Sequence, residues 1–182
     1  MSPAETAQAD AARRDAALGR FLAGLPFVQF LGVSFERRGD ELTARLAFDP
    51  KLIGNPLIPA LHGGATGAFL EITAQVTLAW SMLWEGLEAG GLAAAAIERG
   101  EFPAAPKTID FTVDYMRTGL ARDAFARASV NRAGRRYASV RVEAWQDERA
   151  RPFAAATGHF LMPEAPATPE VSPDAAPGAR RG

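Results

Sequence analysis

The chain has 182 residues, 48% of them hydrophobic, a formal net charge of −1 and no cysteine. That length supports one well-formed core and is short for two, and the apolar content excludes a chain disordered over most of its length. The balanced charge excludes a global positive field for nucleic acid. The missing thiols exclude disulfides, thiolate catalysis and cysteine-ligated metals.

Residues 1–10 are small and acidic, without the basic start and apolar run of a signal peptide, so a disordered N-terminus and a cytoplasmic location are expected. From Asp10 to Leu25 an alanine- and arginine-rich stretch predicts a short helix with Leu18, Phe21, Leu22 and Leu25 on its apolar face, stopped by Pro26. Val33 and Phe35 predict a strand, Arg38-Gly39-Asp40 a turn, and the alternation of Leu42, Ala44, Leu46 and Phe48 a second, half-buried strand. The segment 49–61, with three prolines and a glycine, reads as a structured loop. A helix from Gly63 to Trp84 is apolar nearly all round, which in a soluble protein means a central buried helix. His62, Glu71 and Gln75 interrupt that stretch and argue against a membrane span. Gly90-Gly91 breaks the chain, and an alanine-rich turn of helix ends at Gly100 and Pro103.

Four strands follow. They are marked by Ile109, Phe111, Val113 and Tyr115; by Ala124, Ala126, Ala128 and Val130; by Ala138, Val140, Val142 and Ala144 beyond a turn at 131–134; and by Phe153 to Met162. One domain is therefore expected over residues 11–162, with a disordered Pro/Ala-rich tail over 163–182. The fold class is α+β, a curled antiparallel sheet around one long helix, which buries both apolar surfaces at once. An ordinary α+β sandwich of the same elements is the rival.

Glu71 is the only acidic side chain from Gly63 to Trp84. A carboxylate on a buried helix must be paired, hydrogen-bonded or protonated, so it serves either as a structural group at an interface or as a general base or nucleophile. The residues on its face, Gly64, Gly67, Ala68, Ala74, Gln75 and Leu78, are mostly small and admit a second backbone or a slender ligand. Gly63-Gly64 places free N–H donors at a helix start, where an oxyanion can be held. His62 before them donates a hydrogen bond or caps the helix, and one histidine with one glutamate is too few for a zinc site.

The run His62-Gly63-Gly64-Ala65-Thr66-Gly67-Ala68-Phe69-Leu70-Glu71 resembles the signature of hotdog-fold acyl-CoA thioesterases of the PaaI-like (phenylacetate-degradation-type) branch. The resemblance covers about residues 25–162. It implies the hotdog fold, a homodimer or a dimer of dimers, and coenzyme A as part of the substrate rather than a separate cofactor. It also implies Glu71 as base or nucleophile, and the Gly63 N–H as oxyanion donor with His62 beside it. Thr108-Ile109-Asp110 and Tyr115-Met116 match the next strand of the family, with Thr108 at the position that orients the attacking water. Asn55 is the candidate for the family's asparagine before the histidine, at a spacing one residue longer than usual. A second departure is the longer stretch from Glu85 to Pro106, a candidate wall of the acyl pocket.

Arg132, Arg135 and Arg136 sit on a hairpin and either meet the phosphates of coenzyme A or form a solvated turn. No reading motif or aromatic ladder for nucleic acid accompanies them. His159 reads as structural, and two histidines assemble no serine triad. The leading reading is thioester hydrolysis. An enoyl-CoA hydratase or dehydratase and a non-catalytic acyl-CoA-binding dimer are the alternatives.

Overall fold

The computed structural model describes residues 2–163, so nearly all of the tail expected over 163–182 lies outside the described residues. Helix α1 spans Pro3–Ala23 and opens on a capping box, in which the Ser2 hydroxyl accepts from the Glu5 N–H and the Glu5 carboxylate from the Ser2 N–H. These caps start the helix ahead of Asp10. Pro26 ends the first helical run and also opens a second, α2, over Pro26–Leu31, because proline at a first helical position sacrifices no hydrogen bond. Gly32 stops α2 in the left-handed region at φ 74°.

Strands β1 (Val33–Arg38) and β2 (Glu41–Leu46) form an antiparallel hairpin. The predicted alternation holds for Leu42, Ala44 and Leu46, all buried, whereas Phe48 lies past the strand end. The loop that follows contains a 3-10 turn (Pro50–Leu52) and a small ladder of β3 (Ile53–Asn55) with β4 (Ala60–Leu61). Helix α3 then runs from Gly63 to Ala89, and α4 from Gly91 to Arg99. Strands β5 (Lys107–Tyr115), β6 (Ala124–Ala133), β7 (Tyr137–Trp145) and β8 (Ala154–Leu161) complete the fold.

The main sheet has six antiparallel strands in the order β1-β2-β6-β7-β8-β5. This corrects the expected architecture. Among the described residues the sheet is open, not curled into a wrap: β1 and β5 are its edges and do not pair with each other. Nor is α3 the only helix in the layer. It packs on the inner face of the sheet, burying Phe69, Leu70, Trp80 and Phe160 completely or nearly so. The C-terminal part of α3 is covered by α1 and α4. The Arg14 guanidinium lies 4.4 Å over the Trp84 ring, and Phe21 meets Phe102 edge to face at 5.4 Å. The sides of α3 that the pattern assigned to a wrapping sheet are thus buried by other helices.

Two irregularities matter for the site. A bulge between Thr108 and Asp110 turns Ile109 outward, 52% exposed, so Thr108, Phe111 and Val113 are the half-buried residues of β5. Strand β2 pairs with β6 only over Ala44–Leu46. That seam is reinforced by Asp123, whose carboxylate accepts from the Phe48 N–H at 2.8 Å and from Arg45 at 2.6 Å.

Candidate active site

His62 is the N-cap of α3, in extended conformation, and its Nδ1 accepts a hydrogen bond from the Gly64 N–H at 2.9 Å. Nδ1 is therefore the unprotonated nitrogen, which leaves Nε2–H free to donate. The His62 N–H donates to the Leu52 carbonyl at 2.8 Å. Gly54 lies directly against it: a Cβ there would stand 2.8 Å from the His62 Cα. On the other side the Tyr115 hydroxyl donates to the Gly63 carbonyl at 2.7 Å. The Gly63 N–H is at the first helical position, where no intrahelical acceptor exists, and makes no hydrogen bond among the described residues. A donor suited to an oxyanion is thus held between β3, β4 and the end of β5.

Glu71 is half-buried rather than buried, and its carboxylate has no hydrogen-bond or ion-pair partner among the described residues. One turn further on, Gln75 Nε2 donates to the Pro106 carbonyl at 2.9 Å. Together with the Tyr115–Gly63 bond, this contact shows α3 and β5 running side by side in opposite directions. Gly63 lies at the Tyr115 end of β5 and Glu71 toward its start, where half-buried Thr108 also lies. Within one chain, Gly63 and Glu71 are separated by about 12 Å along the helix, at ~1.5 Å per residue, and do not converge.

Asn55 is exposed, and its side chain accepts from the Leu57 N–H at 3.0 Å, forming a turn within its own loop. Arg132, Arg135 and Arg136 line a cavity of about 460 Å³ with Tyr137, Ser139 and His159. None of the three arginines has an ion-pair partner among the described residues. Register places Arg132, Ser139, His159 and Asp110 in a row across β6, β7, β8 and β5. His159 is exposed, with Nδ1 3.2 Å from Asp110. Sequence alone offered it no acid, because its partner stands 49 positions away and meets it only through strand pairing.

Two positioning contacts escaped the sequence reading, which named Tyr115 only as part of a matching strand. Tyr115 has no local signal of its bond to Gly63, 52 residues distant. Gly54 is one glycine among 17 until its neighbour is known. Among the described residues no cluster of three or more histidine, aspartate or glutamate side chains is arranged to hold a metal, and no helix is long and apolar enough to cross a membrane.

Residues 55–161 match the family model for the acyl-CoA thioesterase N-terminal domain. The chain is 32% identical over 146 residues to the medium/long-chain acyl-CoA thioesterase YigI of Escherichia coli, covering 78% of this chain and 88% of that protein. A crystal structure of a Chromobacterium violaceum protein is similar over 85% of this chain and 96% of its own, at 35% identity and a TM-score of 0.56. A phenylacetic acid degradation-related protein from Ralstonia eutropha is 21% identical with a TM-score of 0.59, covering 80% of this chain and 98% of its own, and shows the fold alone. The motif opening α3, the sheet that carries it and these matches agree: the chain belongs to the PaaI- and YigI-like acyl-CoA thioesterases of the hotdog-fold family.

Proposed function

We propose that two copies of the chain, paired edge to edge through β5, hydrolyse an acyl-CoA thioester at two equivalent sites. Each site takes its oxyanion donor from Gly63 of one copy and its base or nucleophile, Glu71, from the other. The observation that carries this reading is the opposed run of α3 and the edge strand β5. A two-fold axis near the middle of β5 exchanges the ends of the strand, so Gly63 of one copy comes opposite the Glu71 region of the second. The attacking group and the oxyanion donor must meet within roughly 3 Å of one carbonyl; a single chain leaves them too far apart.

In the reaction, Glu71 takes a proton from water as the water oxygen attacks the thioester carbon, or attacks that carbon itself. The carbonyl oxygen becomes negative against the Gly63 N–H, with the His62 Nε2–H beside it. The C–S bond then breaks, and coenzyme A leaves as its thiol. Where Glu71 acts as base, it returns the water's proton to the sulfur. Where it attacks directly, the sulfur takes a proton from solvent, and water then hydrolyses the Glu71 acyl anhydride to the free acid and the carboxylate. One oxyanion donor of this kind is worth ~3 kcal/mol in the transition state. Thr108, at the same end of β5 as Glu71, orients the water. The cationic cavity of Arg132, Arg135 and Arg136 takes the phosphates of coenzyme A. Asn55 shapes the loop ahead of His62. The activity of the YigI relatives supports acyl-CoA as the substrate class.

The test is thiol release from a panel of acyl-CoAs, with enoyl-CoA absorbance followed in parallel. Glu71→Gln is expected to keep the dimer and its melting temperature while losing at least ~10²-fold in turnover. A purified heterodimer of Glu71→Ala with a His62/Gly63 variant should regain activity toward half the wild-type value. Verified heterodimers as inactive as both parents would refute the shared site, and loss of enoyl absorbance without thiol release would assign a hydratase instead.

A further inference from the structure

The row Arg132–Ser139–His159–Asp110 is built by two register shifts, and the reaction above gives no part to His159 or Asp110. Ala138, Val140 and Phe160 point into the core, so Ser139 and His159 face outward from the sheet. Strands β5 and β8 pair evenly from Tyr115 with Ala154 to Asp110 with His159, and one extra residue, Ile109, then comes before Thr108 with Phe160. Counted on evenly from Thr108 and Phe160, Ile109 would stand opposite His159. Strands β6 and β7 pair evenly from Phe125 with Trp145 to Val130 with Val140, where the extra residue is Asn131. Counted on evenly, Asn131 would stand opposite Ser139. Each bulge therefore replaces a neutral residue with a charged one, Asp110 or Arg132, and both changes fall in the row that holds His159. Re-aiming a side chain is a recurrent use of a bulge.

The Asp110 carboxylate, an acceptor only, lies 3.2 Å from His159 Nδ1, so Nδ1 carries the proton and Nε2 the lone pair of the neutral ring. His159 lines the cavity of about 460 Å³ and Asp110 does not, so the ring turns its Nε2 edge inward. Facing it are Arg132 from β6 and Arg135 and Arg136 from the turn, none with an ion-pair partner among the described residues. From β7 come Tyr137, on the cavity wall, and Arg141, which is held by Glu143 at 3.0 Å. Lys107 of β5 is in register with Leu161, two residues past His159. Arg132 and His159 stand two strand spacings apart, about 10 Å. That leaves room over Ser139 for one tetrahedral anion with a hydrogen bond of ~2.8 Å on either side.

We propose that His159, aimed by Asp110, is a proton-coupled reader of a phosphomonoester dianion, and that the 3′-phosphate of coenzyme A, rather than its diphosphate, sits against the ring. The identity of the ligand rests on the acyl-CoA reading above; the seat itself does not. Histidine is the side chain that ordinarily changes charge between pH 5 and 8, and a phosphomonoester loses its second proton near pH 6. A dianion seated between the ring and the guanidiniums draws a proton from solvent onto Nε2, and the Nε2–H donates to it. Asp110 acts through the ring alone, by fixing its orientation and balancing its charge. The diphosphate is ionised across this whole range and exchanges no proton with the ring. Binding of the phosphomonoester is therefore linked to uptake of a proton and weakens as pH rises.

The experiment is titration calorimetry on the full chain with coenzyme A, dephospho-coenzyme A and adenosine 3′-phosphate, from pH 6.5 to 8.5. Each titration is run in two buffers of different ionisation heat, which counts the protons taken up. Wild type should bind coenzyme A at least roughly 10-fold more tightly than dephospho-coenzyme A, the worth of one charge-assisted hydrogen bond. Uptake should approach about one proton near pH 7.5, and the preference should shrink toward pH 8.5. His159→Gln keeps a neutral donor, so it should lose the proton uptake and the pH slope and most of the preference. Its unchanged affinity for dephospho-coenzyme A would show that the fold is intact. Asp110→Asn should shift the same pH profile to lower pH. If wild type neither cleaves thioesters nor binds coenzyme A, adenosine 3′-phosphate tests the seat alone: binding with a proton uptake that His159→Gln abolishes would leave the seat standing and the acyl-CoA reading wrong. Equal affinities for coenzyme A and dephospho-coenzyme A, or no proton uptake with either phosphomonoester, would overturn the proposal. So would a preference, uptake and pH slope that survive in His159→Gln.

Discussion

Alanine in place of Gly54 would set its Cβ 2.8 Å from both the Cα and the Cδ2 of His62, and 3.0 Å from its Cβ. Carbon atoms in contact rest at about 3.5–4.0 Å, so the β3 backbone and the helix start must separate by roughly 0.7 Å. Neither is free to move alone. The His62 N–H is bonded to Leu52, its Nδ1 to Gly64, and the Gly63 carbonyl to Tyr115. Overpacking of this kind costs about 2 kcal/mol, or about 6 °C in melting temperature for a chain of this size. The same displacement moves the Gly63 N–H, and a misplacement approaching ~1 Å costs on the order of 10²-fold in turnover. Thermal denaturation and thioester hydrolysis on Gly54→Ala measure both effects. A variant with wild-type melting and wild-type turnover would show that Gly54 does not hold His62, and the account of the helix start would have to be abandoned.

Tyr115→Phe removes only the hydroxyl that donates to Gly63, on a side chain that is 56% exposed. It should cost about 1 kcal/mol or less in stability but lower turnover measurably, so a variant with unaltered kcat would exclude the bond from positioning the helix start. Asp123 is a stability prediction. The Phe48 N–H and then the Arg45 guanidinium hold its carboxyl below the usual aspartate range. A lowered folded-state pKa means that the stabilisation is present above the unfolded value and is lost as pH falls through the folded one. Asp123→Ala should therefore melt below wild type at neutral pH, by about 1 kcal/mol, and the gap should close below about pH 4. A gap that persists unchanged into strong acid would deny the charge a role.

The sequence exposed those features whose cause is local. Leu42, Ala44 and Leu46 alternate because one face of β2 is buried, and all three are core residues. The apolar run from Gly63 foretold a central helix because nearly every side of it is covered. The reading failed where the cause is distant. The period-two rule put Ile109 inside, but the bulge beside it breaks the period and turns it to solvent. The expected curl of the sheet presumed a single helix; α1, α2 and α4 take up the apolar surface that curling would have covered. Glu71 was legible as an isolated acid in an apolar run, and its half-open setting follows from small neighbours on its own face. Its separation from Gly63 followed from helix geometry alone, but the opposed strand that orders the two groups needed the Gln75 and Tyr115 contacts.

The order of elements along the chain also sets a problem for synthesis. Helix α3 ends at Ala89, while four of the six strands of the main sheet begin only at Lys107 and end at Leu161. A ribosome adding ~5–20 residues per second therefore displays this apolar helix for several seconds before the strands that bury it have emerged. At the start of that interval only the β1–β2 hairpin and helices α1, α2 and α4 can shield it, and the Gly63 carbonyl has no Tyr115 hydroxyl to accept from. The nascent chain is a sticky intermediate by construction, and the same greasy helix that makes the finished enzyme's core makes its birth a natural occasion for chaperone capture.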